Sequence, residues 1–196
     1  MNTLQLCRLL LECYEVRSAK AADLLEALQK GSQRTWVSGE NLCSEGASST
    51  EMFIILTGGI QVFKKDDAQL NREIAILSAP TMIGQMGLIE NVTRSATCVA
   101  MGNIQGISIK KDIFHLILKS ADPASSAFRH LLLASMSMQL FTANGKIRKL
   151  IEELEITQRD IEKNTDPDLI SSSSKRVKDI SDTLDGWNTE EQKEHS

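Results

Sequence analysis

The chain has 196 residues, of which 41% are hydrophobic, and its formal net charge is −4 at pH 7. This length supports one ordinary hydrophobic core with extensions, and the acidic balance excludes a general attraction for nucleic acid or anionic membranes. The four cysteines have neither the spacing of a zinc site nor the density of a secreted disulfide scaffold. We therefore expect free thiols, no metal site and, because no apolar run reaches membrane-spanning length, a cytoplasmic protein.

Two short helices are predicted at the N-terminus. Apolar residues recur at steps of three and four between positions 4 and 14, and again between positions 24 and 28 before Gly31. From Trp36 to about Ile109 the pattern changes to short β-branched or aromatic runs separated by glycine and polar turns. That spacing is typical of an antiparallel sandwich or jelly-roll barrel. The polar stretch KKDDAQLNRE at 64–73 predicts a long hairpin loop within it.

A long helix is predicted from Pro123 onward. One heptad position is apolar throughout and is occupied by Leu133, Leu140, Ile147, Leu154 and Ile161. A stripe of about four heptads favours a coiled coil between two chains. A single amphipathic helix packed on its own barrel is the alternative, and it explains the first two turns only.

From residue 164 the sequence is polar and serine-rich, which predicts a tail that is disordered alone. Apolar residues at helical steps between 177 and 187 leave a partner-binding segment as the alternative. The chain is thus predicted to have N-terminal helices at 1–35, a β-roll at 36–122, a coiled-coil helix at 123–163 and a tail at 164–196.

The stretch 83–97, IGQMGLIENVTRSAT, has the composition of a phosphate-binding loop, and we refer to it as the cassette. Gly84 and Gly87 allow the main chain to approach a ligand without a Cβ, so that N–H groups at a short helix start can converge on an anion. Arg94 would supply the countercharge as a rigid, two-pronged donor. An ordinary turn beside a solvated arginine is the alternative for so short a motif.

Taken together, these features resemble the cyclic-nucleotide-binding domain family, the module of the catabolite activator protein and of protein-kinase regulatory subunits. The resemblance covers roughly residues 20 to 145. It rests on turn glycines at Gly39, Gly46 and Gly58, and on the spacing from Gly84 to Arg94 and the Ser-Ala-Thr that follows it. It implies an α+β fold, in which an antiparallel, jelly-roll-like β-roll carries N-terminal helices and a long C-terminal dimerisation helix.

The resemblance also implies a ligand: a cyclic nucleotide, with cyclic AMP as the first candidate, and no other cofactor. Its phosphate would be held by Arg94 and by backbone N–H groups of the cassette. The implied ligand-binding residues are Ile83, Gly84, Gln85, Met86, Gly87, Arg94, Ser95 and Ala96 of the cassette, and Thr142 and Asn144 of the long helix. Gln85 departs from the family, which usually has a glutamate accepting from the ribose 2′-hydroxyl. A neutral amide is a weaker acceptor than a carboxylate.

No helix-turn-helix follows the long helix, and none of the three histidines stands in a catalytic set, so neither a complete transcription activator nor an enzyme is expected. The expected function is a regulatory module for signal transduction, which senses a cyclic nucleotide and signals through its homodimer helix and tail to a protein partner. The alternative is a degenerate fold that acts as a ligand-independent interaction scaffold. Gln85 favours the scaffold, whereas Gly84, Arg94 and Ser95 favour the sensor.

Overall fold

The computed structural model of the protein describes residues 3–164, with side chains described up to Arg159. The predicted tail, apart from its first residue, lies outside the described residues. The chain divides into two compact units, at residues 1–138 and from residue 139 onward. The predicted division into four regions stays a prediction.

Two helices precede the sheet, as predicted: α1 (Thr3–Cys13) and α2 (Ala21–Leu28). Their predicted apolar faces are buried, with Leu10 and Leu24 fully inaccessible to solvent. Burial of these leucines stabilises two helices that are too short to be stable alone. Among residues 3–164 no helix combines the length and the hydropathy that crossing a bilayer requires.

Within the described residues six strands form one antiparallel sheet. They are β1 (Ser32–Trp36), β2 (Asn41–Cys43), β3 (Glu51–Lys65), β4 (Asn71–Ser78), β5 (Thr81–Ile83) and β6 (Thr97–Lys110). The two long strands, β3 and β6, pair with each other along almost their whole length. Each long strand also pairs with two short strands, β6 with β1 and β2, and β3 with β4 and β5. The predicted antiparallel β-roll is thereby confirmed.

The β3–β4 hairpin differs from the expectation of a long loop over 64–73. The strands extend to Lys65 and resume at Asn71, so the loop is confined to residues 66–70. Asp66 organises it, because its Oδ1 accepts hydrogen bonds from the N–H groups of Ala68 and Leu70, both at 2.9 Å. Polar composition does not distinguish such a loop from the exposed ends of the strands that lead into it.

Two hydrophobic clusters lie on opposite faces of β3. Met52 and Ile54 belong to the cluster shared with the helices, whereas Phe53 and Ile55 belong to the cluster inside the roll. This alternation follows from the two-residue period of a strand. Trp36 packs edge-on against Phe53 within the cluster inside the roll, with their ring centroids 5.5 Å apart.

Three further helices complete the described chain: α3 (Gln85–Ile89), α4 (Lys111–Lys119) and α5 (Pro123–Asn164). The start of α5 is capped by Asp122, whose Oδ1 accepts a hydrogen bond from the N–H of Ser125 at 2.8 Å. One turn later, Nη1 of Arg129 donates to the carbonyls of Leu118 and Ser120 at the end of α4. These polar contacts fix the corner between α4 and α5, and the predicted long C-terminal helix is confirmed.

Candidate ligand-binding site

The cassette begins where β5 ends. Ile83 is buried and pairs with Phe53 on β3, which anchors the main chain at that point. Gly84 follows with φ of 82° and ψ of 0°, and α3 begins directly after it. A positive φ favours glycine, and the start of a helix presents N–H groups that its own carbonyls do not use. The local backbone thus has the form that the sequence predicted.

Arg94 is buried, with 7% of its surface exposed. Its Nη2 donates to the carbonyl of Glu51 at 2.5 Å, and its Nη1 donates to the carbonyl of Gly84 at 3.4 Å. Its own backbone is held as well, since its N–H donates to the carbonyl of Ala47 at 2.8 Å and its carbonyl accepts from the N–H of Gly46 at 2.9 Å. The turn between β2 and β3 therefore positions the arginine.

The charge of Arg94 has no carboxylate partner within salt-bridge distance among the side chains that the structure describes. The carboxylate of Glu51 instead contacts Arg34, with 3.4 Å between Oε1 and Nη1, and Ser108. A guanidinium has five N–H donors, and the two bonds to carbonyls leave further donors for a ligand. The site thus combines a buried cation with the start of α3, which directly follows Gly84.

Gly84 contacts the arginine directly. A Cβ built on Gly84 would lie 2.1 Å from Nη1 of Arg94, which is far inside van der Waals contact. The two residues that the sequence singled out, ten positions apart, are therefore brought together.

Gln85, the first residue of α3, has 2% of its surface exposed, whereas Met86 is exposed. Gly87 is buried against Ser49: a Cβ on Gly87 would lie 2.1 Å from Oγ and 2.8 Å from Cβ of Ser49. The Ser49 Oγ is itself buried and has no hydrogen-bond partner among the described residues. Gly87 therefore serves the packing of the cassette on the β2–β3 turn.

The end of the cassette leads into β6. Ser95 is exposed and Ala96 is half-buried. The carbonyl of Ala96 accepts a weak hydrogen bond from Sγ of Cys43 at 3.8 Å, and Oγ1 of Thr97 accepts one from the N–H of Glu45 at 2.9 Å. Both bonds tie the cassette to residues next to the β2–β3 turn.

Thr142 and Asn144 lie on α5 in the second unit, where both are exposed. Their contribution to the site stays a prediction. Sequence reasoning missed Glu51 and Ser49, which contact the cassette. No local signal marks them, because their contacts depend on how β3 and the turn before it pair with distant segments.

Within the described part of the chain, no group of three or more His, Cys, Asp and Glu residues is arranged to hold a metal ion.

Comparison with known proteins gives the same family as the motifs. The model of the family described as cyclic nucleotide-binding domain matches residues 33–121. The cGMP-dependent protein kinase 2 of Homo sapiens is 21% identical over 127 residues, and the protein of the same name from Rattus norvegicus matches equally. The match covers 65% of this chain but only 16% of the kinase. This chain therefore corresponds to a small part of these relatives.

Three solved structures are similar in fold. A cyclic nucleotide-binding domain from Methylobacillus flagellatus has a TM-score of 0.65 and 19% identity, over 75% of this chain and 85% of that one. The catabolite activator protein of Thermus thermophilus has a TM-score of 0.58 and 18% identity, over 70% of this chain and 62% of that one. The regulatory domain of Toxoplasma gondii PKA, crystallised with cAMP, has a TM-score of 0.51 and 18% identity, over 67% of this chain and 56% of that one.

These identities show the fold alone, whereas the family model matches the segment that contains most of β1, the cassette and α4. Residues 33–121 therefore match the cyclic nucleotide-binding domain family, as the resemblance predicted, and the fold is that of the solved domain from Methylobacillus flagellatus.

Proposed function

We propose that residues 33–121 bind a cyclic nucleotide, with cyclic AMP as the first candidate, and that Arg94 is the main contact of its phosphate. The observation that carries this proposal is the buried guanidinium of Arg94, which has no carboxylate partner among the described side chains. Burying an unpaired charge costs several kcal/mol, and carbonyl acceptors offset only part of that cost. An anionic ligand offsets the rest.

The position of Arg94 selects a phosphate rather than a diffuse anion. The guanidinium lies against Gly84, at the start of α3, so a ligand there meets a planar double donor and main-chain N–H groups together. Planar, bidentate recognition of phosphate is the geometry in which arginine exceeds lysine. We therefore assign Arg94, Ser95, Ala96 and the backbone from Ile83 to Gly87 to the phosphate, and Gln85 to the ribose.

The test is isothermal titration calorimetry with cyclic AMP, cyclic GMP and a cyclic dinucleotide. Arg94→Ala should cost about 2–5 kcal/mol of binding free energy, since truncation leaves the phosphate without its charged partner. Arg72→Ala is the matched control, because Arg72 is an exposed arginine of the β-roll that pairs with Asp66. Equal affinity of a folded Arg94→Ala variant and the parent would refute the assignment.

We further propose that two copies of the chain pair through residues 133–161 of α5, in parallel. Leu133, Leu140 and Leu154 share a heptad position and are each more than half exposed, at 63%, 64% and 56%. Soluble proteins rarely leave a regular apolar stripe uncovered, and leucine and isoleucine at such positions suit a two-stranded coiled coil. Parallel pairing would bring the same ends of the two helices together, so that one protein partner can contact both copies of the chain.

Sedimentation of the full chain, and of a version that ends near residue 142, tests the dimer. Leu140→Glu should convert the full chain to monomer, because a charge on the seam is desolvated in the pair. Phe141→Glu is the matched control: Phe141 is one position along, is 80% exposed and lies off the stripe. The proposed pairing through the apolar stripe would be contradicted if the parent is a monomer at micromolar concentration, or if the two substitutions have equal effects.

A ligand-independent scaffold is the second candidate. Gln85 supports it, since it replaces the charged acceptor that the family usually offers to the ribose. Calorimetry separates the two functions, because a folded chain that gives no binding signal with any of the three ligands would leave the scaffold as the better account.

A further inference from the structure

We propose that Cys43 and Cys98 form a hydroperoxide-sensitive dithiol that closes to an intramolecular disulfide between β2 and β6. The two residues are opposite partners in the antiparallel ladder of these strands. Opposite residues in a regular ladder have Cα atoms about 4.5–5.5 Å apart, which lies within the range of about 4.4–6.8 Å that a disulfide spans. The ladder shifts its register between Asn41 and Cys43, immediately before this pair. Both side chains belong to, or pack against, the cluster inside the roll, so they share one face of the sheet. Both thiols are free.

The two thiols differ in a way that assigns them separate roles. Cys43 is half-buried, whereas Cys98 is buried. The hydrogen bond from Cys98 lowers the pKa of the Cys43 thiol to about 7, against the opposing effect of burial and with support from the charge of Arg94. The same hydrogen bond is the largest cause that raises the pKa of Cys98, and burial is the next. Cys43 is therefore the attacking thiolate and Cys98 the resolving thiol.

The reaction balances with a hydroperoxide, ROOH, as oxidant. The Cys43 thiolate attacks one peroxide oxygen, so that an S–O bond forms, the O–O bond breaks and ROH leaves after taking up a proton. Conversion of Cys43 to the sulfenic acid removes the thiolate that held the proton on Cys98. Cys98 then attacks the sulfenic sulfur, an S–S bond forms, and the hydroxide that leaves takes the Cys98 proton as water. Two thiols are oxidised, and one hydroperoxide is reduced to ROH and water.

The disulfide would form beside the cassette. In its thiol form Cys43 donates from Sγ to the carbonyl of Ala96. Three and four residues further on, Gly46 and Ala47 hold the backbone of Arg94. A covalent link between β2 and β6 therefore restrains the segment that positions the arginine. This consequence for ligand affinity rests on the proposed function, whereas the disulfide does not.

The test uses the full chain carrying Cys7→Ala and Cys13→Ser, which leaves only the proposed pair. Hydrogen peroxide should produce a mass loss of two hydrogens and, after digestion without reductant, one linked peptide containing Cys43 and Cys98; dithiothreitol should reverse both. A Cys98→Ser variant of the same protein keeps a hydrogen-bond donor to Cys43, and it should instead give a sulfenic acid at Cys43 that dimedone traps. The proposal is overturned if the protein that keeps only Cys43 and Cys98 is oxidised to sulfinic acid without a linked peptide, or if neither thiol reacts. Cys43→Ser is the second variant and should leave Cys98 reduced, because the buried thiol lacks the attacking thiolate; equal oxidation of Cys98 in this variant would overturn the assigned roles.

Cyclic AMP titrations of the reduced and oxidised proteins separate this proposal from the proposed function. If the reduced protein binds, the disulfide should change Kd by about fivefold or more, the lower range of typical coupling between sites. An unchanged Kd would overturn the coupling to the cassette. Failure of both forms to bind, with a disulfide present, would overturn the proposed function and leave the dithiol intact.

Discussion

Nη1 of Arg94 occupies the space where any side chain at position 84 would begin, 2.1 Å from a Cβ built on Gly84. Two independent features therefore require glycine at position 84. Its φ of 82° lies in the left-handed region, and its missing Cβ gives the guanidinium its place at the start of α3.

Gly84→Ala separates these causes when it is compared with Gly39→Ala. Gly39 has φ of 83°, but a Cβ there meets no atom within 4 Å. Both substitutions should lower the free energy of unfolding by about 1–2 kcal/mol through backbone strain. Only Gly84→Ala should also weaken cyclic nucleotide binding, because the added methyl group displaces the flexible end of Arg94. Urea unfolding and calorimetry measure the two effects, and equal affinity of the two variants would contradict the role of the contact.

A double-mutant cycle tests the packing of Gly87 on Ser49. Gly87→Ala should destabilise the fold despite the better helix propensity of alanine, because its Cβ would lie 2.8 Å from Cβ and 2.1 Å from Oγ of Ser49. In a Ser49→Gly protein the nearest remaining atom is the carbonyl oxygen of Val92 at 3.3 Å, so the same substitution should cost much less. The interaction energy should be about 1–3 kcal/mol. Additive effects in thermal or urea unfolding would show that the contact is not tight.

The N-cap of α5 gives a prediction about pH. Hydrogen bonds from the Ser120 hydroxyl, and from the N–H and hydroxyl of Ser125, hold the pKa of Asp122 well below its usual range. A depressed pKa in the folded state means that the stabilisation is complete above the unfolded value of about 4 and is lost as pH falls below it.

Asp122→Ala should therefore lower the free energy of unfolding at neutral pH, and the difference from the parent should narrow towards about pH 3. Asp112→Ala is the matched control, since Asp112 lies in the first turn of α4, whose N-cap makes no side-chain hydrogen bond. Urea unfolding at the two pH values measures the difference. If the difference in free energy of unfolding between the parent and Asp122→Ala stays constant with pH, the charged cap is contradicted.

The sequence predicted those parts of the fold that depend on local patterns. The apolar faces of α1 and α2, the short β runs and the glycine at position 84 each carry a signal within a few residues. Arg94 stood out because it is the only cation of the cassette; the structure buries it, and its contact with a phosphate stays a prediction.

The remaining contacts depend on strand register and have no local signal. The carbonyl of Glu51 reaches Arg94 because β3 pairs with β5, and Cys43 faces Cys98 because β2 meets β6. Both contacts, Glu51 with Arg94 and Cys43 with Cys98, join residues more than 40 positions apart, so periodicity within either segment contains no trace of the partner. The hairpin at 66–70 illustrates the converse limit, because exposed strand ends and loops share a polar composition.

Gln85→Glu tests the departure from the family. Since Gln85 has 2% of its surface exposed, a carboxylate there is desolvated in the protein without ligand, and we expect a lower thermal stability. With a 3′,5′-cyclic mononucleotide bound, a charged acceptor for the ribose hydroxyl should strengthen binding by about 1 kcal/mol relative to the neutral amide.

The two effects should thus have opposite signs, which a general disturbance of the cassette would not produce. Gln105→Glu is the control, because it adds the same charge at an exposed position of β6 and should change neither quantity appreciably. Paired titrations and melting curves at one salt concentration give the comparison. If Gln85→Glu binds the cyclic mononucleotide more weakly than the parent does, the site takes a different class of ligand, which donates less strongly to this position.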